Sequence, residues 1–533
     1  MNYKDNDEYL SSKELDKRLF SCADVLRGSI DSGRYKDFVL PLVFYAAVNG
    51  WREQKREQLS QEKENKPFTE LPEGKQQYFT KLAERESNIK IPEEYTWDKL
   101  ARENKNIATK IDNYFLEFQK ENSERYSEIF NNNYTSIGSF KEEDGDQLLN
   151  ELIRKINEID FERIPPDMMG ESYMNLVKRF SEAEGGEYFT PPKVVDLMVQ
   201  LLEPFEKSSS FHDPTVGSGG MLIEAAQHIR KQYEGKFEDG DDNTSREKLN
   251  NYIDKHFEFT GQEKNPTIAG IAKMNLALHG LKGNIKRGDS LTNPQFTDKN
   301  NLDKFDYIFA NFPFSTNGWK SGATERQGIY GDLDWAENGK LPHGNYGDFT
   351  FIMHMESQLA ENGQLATVIP HGVLFRNGDK KYREYLIEND LIEAIVGLPE
   401  NMFEATGIPS GILILNKDKP EERKGEVMFF NTDHEDRFYY DTGSSRNKLI
   451  DKGITEIKEF YDYWGKENRV CNIVDVNEIK ENDYNLNIAL YVDTTEPQEN
   501  INVSDVFDEI DDLENKYDDL KKQLDEYRMN LEY

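Results

Sequence analysis

Cysteine is almost missing from this 533-residue chain. Only Cys22 and Cys471 occur, too few and too far apart for a disulfide framework or a Cys-based zinc site, so redox scaffolds and zinc fingers are excluded. No metal is expected. Long apolar runs are absent too: hydrophobic residues make up 36% of the chain, and no stretch approaches the roughly 18–20 residues a membrane span needs. The opening MNYKDNDEYL lacks the basic and then apolar pattern of a secretory signal, and a cytoplasmic location is expected. There is no G-K-[ST] anywhere, which excludes a nucleotide-hydrolysing P-loop, and no repeat at a period of roughly 20–50 residues.

Positive charge is scarce as well. Lys and Arg number 66 against 101 Asp and Glu, a net charge of −35. Phosphate binding is driven by cations that displace counterions, so the isolated chain should bind DNA weakly, and a partner or a local basic patch must supply affinity for any nucleic acid. The same acidity is equally consistent with solubility or adaptation to high salt.

What is present divides into three textures. Residues 1–165 read as helical, with amphipathic stretches at Leu15–Leu26 and Phe38–Trp51 and charge-rich helices at Trp51–Lys66 and Leu100–Ile129. Residues 166–475 form the second region, in which short apolar strands alternate with helices between about Glu187 and Phe430, the pattern of a doubly wound α/β sheet. Strands are expected at Phe257–Thr260, Tyr307–Ala310, Leu365–Ile369, Ile392–Gly397 and Ile412–Leu415. Helices are expected at Met221–Tyr233, Pro266–His279 and Asp348–Leu359. The acidic stretch Glu234–Lys248 reads as a surface excursion, and the Gly- and Asn-rich stretch Ser315–Gly347 as a functional loop. In the third region, 476–533, Val506, Ile510, Leu513, Tyr517, Leu520, Leu524, Tyr527 and Leu531 alternate at spacings of four and three. That is a heptad seam, for a partner helix or for the chain's own body.

Three constellations carry chemistry. Asp213-Pro-Thr-Val-Gly217-Ser218-Gly219-Gly220 runs directly into the helical MLIEAAQHI; glycines between strand and helix let a ligand approach the backbone and the helix N-terminus. Dinucleotide folds use similar glycines, so this turn alone decides little. Glu263 ends the next strand, where a carboxylate can accept from ribose hydroxyls, and Asp289 follows a further strand end, where it could bind an exocyclic adenine amine or serve as a turn residue. The most specific is Phe305-Asp-Tyr-Ile-Phe-Ala-Asn311-Phe312-Pro313-Phe314. The side-chain carbonyl of Asn311 and the backbone carbonyl of residue 312 can take the two hydrogens of one planar amine, and Phe314 can stack on its ring, which suits a base turned out of a duplex.

In that order, DPTVGSGG, the Glu263 strand and NFPF resemble motifs I, II and IV of the gamma class of S-adenosylmethionine-dependent amino-methyltransferases. Upstream, Glu187-Tyr188-Phe189-Thr190-Pro191-Pro192 resembles motif X, which implies a share in cofactor binding. LRGSIDSGRYKDFVLPLVFYAAV, IPHGVLFR and IVGLPENMF extend the resemblance over about residues 15–430 to the modification subunits of type I restriction-modification systems. It implies a Rossmann-like methyltransferase sheet behind an all-helical domain, N6-adenine methylation of DNA, and S-adenosylmethionine held by motif X, the glycine loop, Glu263 and Asp289. It also implies a specificity subunit as partner, two methyltransferase chains for each, and the restriction subunit that such systems can carry. Residues 431–500 are too few for a large target-recognition domain, which agrees with sequence choice in another chain. The departure is Phe312 in place of the usual proline. Position 312 is expected to contribute only its backbone carbonyl, so that proline would serve equally. Two rival readings are a catalytically silent cofactor-binding assembly subunit and an amino-methyltransferase acting on RNA or protein.

Overall fold

The computed structural model describes residues 10–87, 89–140, 143–183, 190–237, 242–298, 301–315, 347–403, 409–441 and 447–493, and in the tail 510, 513, 514 and 516–525. The apolar spacing of the first region resolves into helices α1 (Ser12–Asp24), α2 (Tyr35–Glu64), α3 (Glu73–Ser87), α4 (Ile107–Glu121) and α5 (Glu143–Asn157), and the helical core extends past residue 165 to take in α6 (Pro166–Ala183). The two stretches expected either side of Trp51 are one 30-residue helix, with Pro41 inside it. Residues 38–49 of α2 are buried on every side, as in a helix central to its bundle, whereas beyond Trp51 only one face is buried, by Arg52, Arg56, Leu59 and Ser60.

The second region supplies α7 (Pro192–Leu202), β1 (Ser210–Asp213), α8 (Gly220–Tyr233), α9 (Asp242–His256), β2 (Glu258–Glu263), α10 (Pro266–Leu278), β3 (Gly283–Arg287) and β4 (Phe305–Ala310). There follow α11 (Asp348–Gln358), β5 (Leu359–Pro370), α12 (Lys380–Glu388), β6 (Ile392–Gly397), β7 (Ser410–Asn416), β8 (Glu426–Asn431), α13 (Asp451–Tyr463) and β9 (Cys471–Asp475). The nine strands form one sheet in the order β9-β8-β6-β7-β5-β4-β1-β2-β3. Every pairing in it is parallel except those that β7 makes with β5 and β6, and β9 with β8. Each expected strand and helix of the second region overlaps one of these elements to within a residue at its ends, whereas the helix expected over Leu100–Ile129 is confined mainly to α4. The expected excursion after Tyr233 is in part a helix, α9; the strand expected to end before Asp289 is β3, and β8 and β9 were not anticipated.

The chain leaves β1 outward through β2 to β3, then returns to lay β4 on β1's other side. That reversal opens a crevice beyond the carboxyl ends of β1 and β4, the usual ligand position in open parallel sheets. Apolar clusters fill both faces of the sheet. Helix α10 joins sheet to bundle: Ala269, Ala272 and Leu276 pack toward the sheet, and Ile271, Met274 and Leu278 belong to the helical core. The approach is tight at Gly270, where a Cβ would lie 2.5 Å from the carbonyl oxygen of Ile129.

The chain divides into two compact units, Met1–Val492 and Asp493–Tyr533. Leu486, Ile488, Tyr491 and Val492 are buried in the sheet's core, so the first unit extends well beyond β9. In the second unit the described residues are helical, and Ile510, Leu513, Tyr517, Leu520 and Leu524 are exposed. Val506, Tyr527 and Leu531 lie outside the described residues, as does the stretch between Ser315 and Gly347. Among the described residues no helix is long and apolar enough to cross a membrane.

Candidate active site

The glycine turn begins where β1 ends. Asp213 Oδ1 accepts the Thr215 N–H at 2.9 Å, the Val216 N–H donates to the Gln262 carbonyl at 3.0 Å, and the Gly217 N–H donates to Glu263 Oε2 at 3.2 Å. Glu263 Oε1 accepts the Asn265 N–H at 2.7 Å, so one carboxylate holds the turn after β1 against the turn after β2. Gly219 has φ +87°, and a Cβ there would meet Leu276 Cδ1 at 2.5 Å, so both backbone and space demand glycine. Helix α8 starts at once, and its first-turn amides have no carbonyl in their own helix.

Two buried carboxyls stand beside this turn. Burial pushes Glu263 above its usual range against its backbone donors. Burial, with the charge of Glu263 added, pushes Asp213 up to about 8 against the Thr215 hydrogen bonds. An unfolded aspartate titrates near 3.9. Between that value and about 8 the folded chain therefore holds more protons than the unfolded one, and stability falls as pH rises through that window. Asp213→Asn removes the titration while keeping an acceptor for Thr215. Its melting temperature should gain on the parent protein progressively from pH 5 to pH 8.5 in paired thermal scans; a constant difference would mean that Asp213 does not titrate there.

Asp289 serves its own turn. Its Oδ1 accepts from the Leu291 and Thr292 amides at 3.1 Å each, and its Oδ2 pairs with Lys264 at 2.9 Å. Burial alone would raise its pKa, but the lysine and the amides outweigh it and hold the carboxyl below its usual range.

Thr190, Pro192, Asp213, Gly217, Ser218, Gly220 and Asn311 line one cleft of about 540 Å³. Pro191 caps α7. Gly219, Glu263 and Asp289 do not line the cleft, and Glu187, Tyr188 and Phe189 lie outside the described residues. The helical region supplies an unanticipated wall: Glu171, Met174, Asn175 and Lys178 on α6. Their i, i+3, i+4 and i+7 spacing marks a helix face, but nothing in the sequence says what that face meets.

Asn311 follows β4 directly, across the reversal point. Its Nδ2 donates to Thr190 Oγ1 at 2.9 Å, which engages the donor side of the amide and leaves the carbonyl as the acceptor for a ligand. Phe312 corrects an expectation, because its side chain has a role of its own. The ring is 1% exposed, stacks on Phe351 (centroids 5.2 Å apart, 12° between planes) and belongs to the core under the sheet. Pro313 follows, half-buried, and the Phe314 ring, also half-buried, stands edge-on to Phe312 at 5.7 Å. Beyond it Ser315 has φ +54°, and its N–H donates at 2.7 Å to Asp348 Oδ1 at the start of α11. Asp348 is fully buried and pairs through Oδ2 with Arg376 at 2.6 Å. The Asn311–Phe314 segment is thus fixed at both ends, by Thr190 and by Asp348. The only sequence signal for the second clamp was an acidic residue opening a helix after a glycine-rich stretch.

The N-6 DNA Methylase family model matches residues 165–500, and the HsdM N-terminal domain model matches residues 15–156. The type I restriction enzyme MjaVII methylase subunit of Methanocaldococcus jannaschii is 31% identical over 515 residues, which cover 94% of this chain and 82% of that one. The HindI methylase subunit of Haemophilus influenzae is 32% identical over 345 residues, 62% of this chain and 70% of that one. Among solved structures, the type I restriction-modification methyltransferase subunit of Streptococcus thermophilus superposes with a TM-score of 0.73 at 26% identity, over 91% of this chain and all of that one.

Proposed function

The chain belongs to the N-6 DNA methylase family, as a methylase subunit of the type I restriction-modification kind, and from that premise we propose that it methylates N6 of an adenine turned out of DNA, at sites chosen by a separate specificity subunit. Its cofactor is S-adenosylmethionine. The observation that carries the proposal is Asn311: a side-chain carbonyl at the carboxyl end of β4, held through its amide by Thr190, on the same cleft as the glycine turn.

The residues present fit the cofactor. A cleft of about 540 Å³ lies within the usual range for small-molecule sites. Gly217, Ser218 and Gly220 bring the backbone to the wall of the cleft, and the buried Asp213 on the same wall offers an acceptor for hydroxyl or amine hydrogens. The turn Asp213–Gly220, Glu263 and the Thr190–Pro192 segment would hold it; bound there, it supplies a methyl group on a positively charged sulfur. Asn311 Oδ1 and the Phe312 carbonyl hold the two amine hydrogens, which orients the nitrogen lone pair and raises its electron density. Phe314 supports the base. Positioning does the work, and no covalent enzyme intermediate is required.

Radiolabelled methyl transfer by the chain with its specificity subunit, on DNA, RNA and protein in parallel, tests this reading. Label in DNA as N6-methyladenine is expected. Label confined to RNA or protein, or cofactor binding without transfer, would overturn it.

Charge and tail give two further expectations. The isolated chain should bind S-adenosylmethionine in calorimetry yet shift DNA poorly in gels until the specificity subunit is added, because its net charge of −35 opposes phosphate. Tight, sequence-specific DNA binding by the chain alone would exclude the two-subunit arrangement, for which we propose two of these chains to one specificity chain, with a restriction subunit as a further partner. Truncation before Val506 removes part of the second compact unit and no strand of the sheet. Circular dichroism and cofactor affinity should be unchanged, while assembly seen by size exclusion weakens; unfolding of the core on truncation would show that the tail packs at home.

A further inference from the structure

One cluster of titratable side chains contains none of the groups assigned to base and cofactor, although its Glu224 lines the wall of the same cleft. Helix α8 places Glu224 and His228 one turn apart, on one side of the helix, and α7 brings Asp196 against them. One ligand atom from each lies within 4.8 Å of the other two. His228 is 5% exposed. Its Nδ1 lies 2.8 Å from Glu203 Oε1, and against the effect of burial the carboxylates of Asp196, Glu203 and Glu224 push the imidazole pKa up to about 11, so the ring is protonated when no ion is bound. That Nε2 is buried and has no hydrogen-bond partner. It faces Asp196 Oδ1 at 3.2 Å and Glu224 Oε1 at 3.3 Å.

Those two separations match a tetrahedral metal site, in which nitrogen and oxygen ligands about 2.0–2.1 Å from zinc lie roughly 3.3 Å from one another. An imidazolium answers the same carboxylates at the same distances, so an ion binding here must displace the Nε2 proton. The surroundings are those of ligating groups. Glu203 orients the ring from its far nitrogen, and Gln200 Nε2 donates to Asp196 Oδ1 at 2.7 Å; metal-bound histidines and carboxylates carry such supports. Lys193 addresses the other Asp196 oxygen, at 3.5 Å, and so does not occupy the ligand position.

We propose that Asp196, Glu224 and His228 bind one divalent transition-metal ion, of the zinc class, that ties α7 to α8. One nitrogen and two oxygen donors suit such a borderline ion better than the all-oxygen shell that magnesium or calcium prefers. These helices carry the segments on either side of the cleft: α7 follows Thr190–Pro191, and α8 follows the glycine turn. The ion would fix their spacing without touching the reacting base. The inference stands on this geometry alone and does not depend on the methylation reading.

The test is calorimetric titration of zinc chloride into the full chain after dialysis against a chelator, with a thermal scan of each sample. One saturating equivalent and a raised melting temperature are expected. Both should weaken at least tenfold in zinc affinity in His228→Ala and in Asp196→Asn; the second variant keeps the shape of the site should the first fold poorly. Absence of saturable zinc binding, or binding of equal affinity in both variants, would overturn the proposal and leave the cluster as an ion-paired imidazolium.

Discussion

Asn311→Ala is expected to lower the single-turnover methylation rate of the assembled complex about 10²-fold or more, the usual consequence of losing a preorganised hydrogen-bonding group at a reacting centre. Affinity for S-adenosylmethionine should change little. The variant loses the carbonyl that accepts from the target amine, and also the amide hydrogen that Thr190 accepts at 2.9 Å. The second loss touches the segment before α7, but Asp213, Glu263 and their contacts with the glycine turn remain in place. Because Ser315 is still clamped by Asp348, the Phe312 carbonyl should keep its position and the residual rate should stay measurable. Calorimetry with cofactor beside quenched single turnovers separates the two effects. A variant that methylates at the parent rate would remove Asn311 from the mechanism, and one that fails to bind cofactor would make its pairing with Thr190 its main role.

The fold was legible where local signals agree with tertiary packing. Strands such as Ile392–Gly397 are buried along their whole length and read as short apolar runs between turn signals. Strand β3, GNIKR, has one fully buried residue in five, so as an edge strand it shows little apolar pattern. Strand β8 lies at the very end of the stretch where strand and helix alternate, and β9 beyond it. The helix α9 begins in acidic sequence that carries no apolar spacing.

At the site, a motif discloses residues that line the cleft and little of what supports them. Asp213, Gly217 and Asn311 were readable because their types and order are dictated by chemistry. The α6 wall and the Asp348–Arg376 pair depend on which separate elements the fold brings together, and no local pattern encodes that. Asp289 shows the converse. A carboxylate after a strand can face a ligand or close a turn, and only the Lys264 pair and the two amides reveal the second use.

Phe312 is where the sequence departs most from its family's pattern, and its replacement by proline should be costly in stability rather than in chemistry. Proline keeps the backbone carbonyl and suits the extended conformation that Pro313 already imposes. It deletes, however, a ring 1% exposed and stacked on Phe351. Removing a buried phenylalanine side chain commonly costs about 3–5 kcal/mol, a large share of the roughly 5–15 kcal/mol that holds a domain together. Phe312→Pro should therefore melt well below the parent protein, while the folded fraction at low temperature transfers methyl groups at close to the parent rate. Phe312→Leu, which refills most of the space, should recover most of the melting temperature. A double-mutant cycle with Phe351→Ala should be strongly non-additive, since either change already forfeits the stacked pair. Single-turnover rates at low temperature and thermal scans of the four proteins decide the matter: parent-like melting together with a lost rate in Phe312→Pro would place the ring against the flipped base instead of in the core.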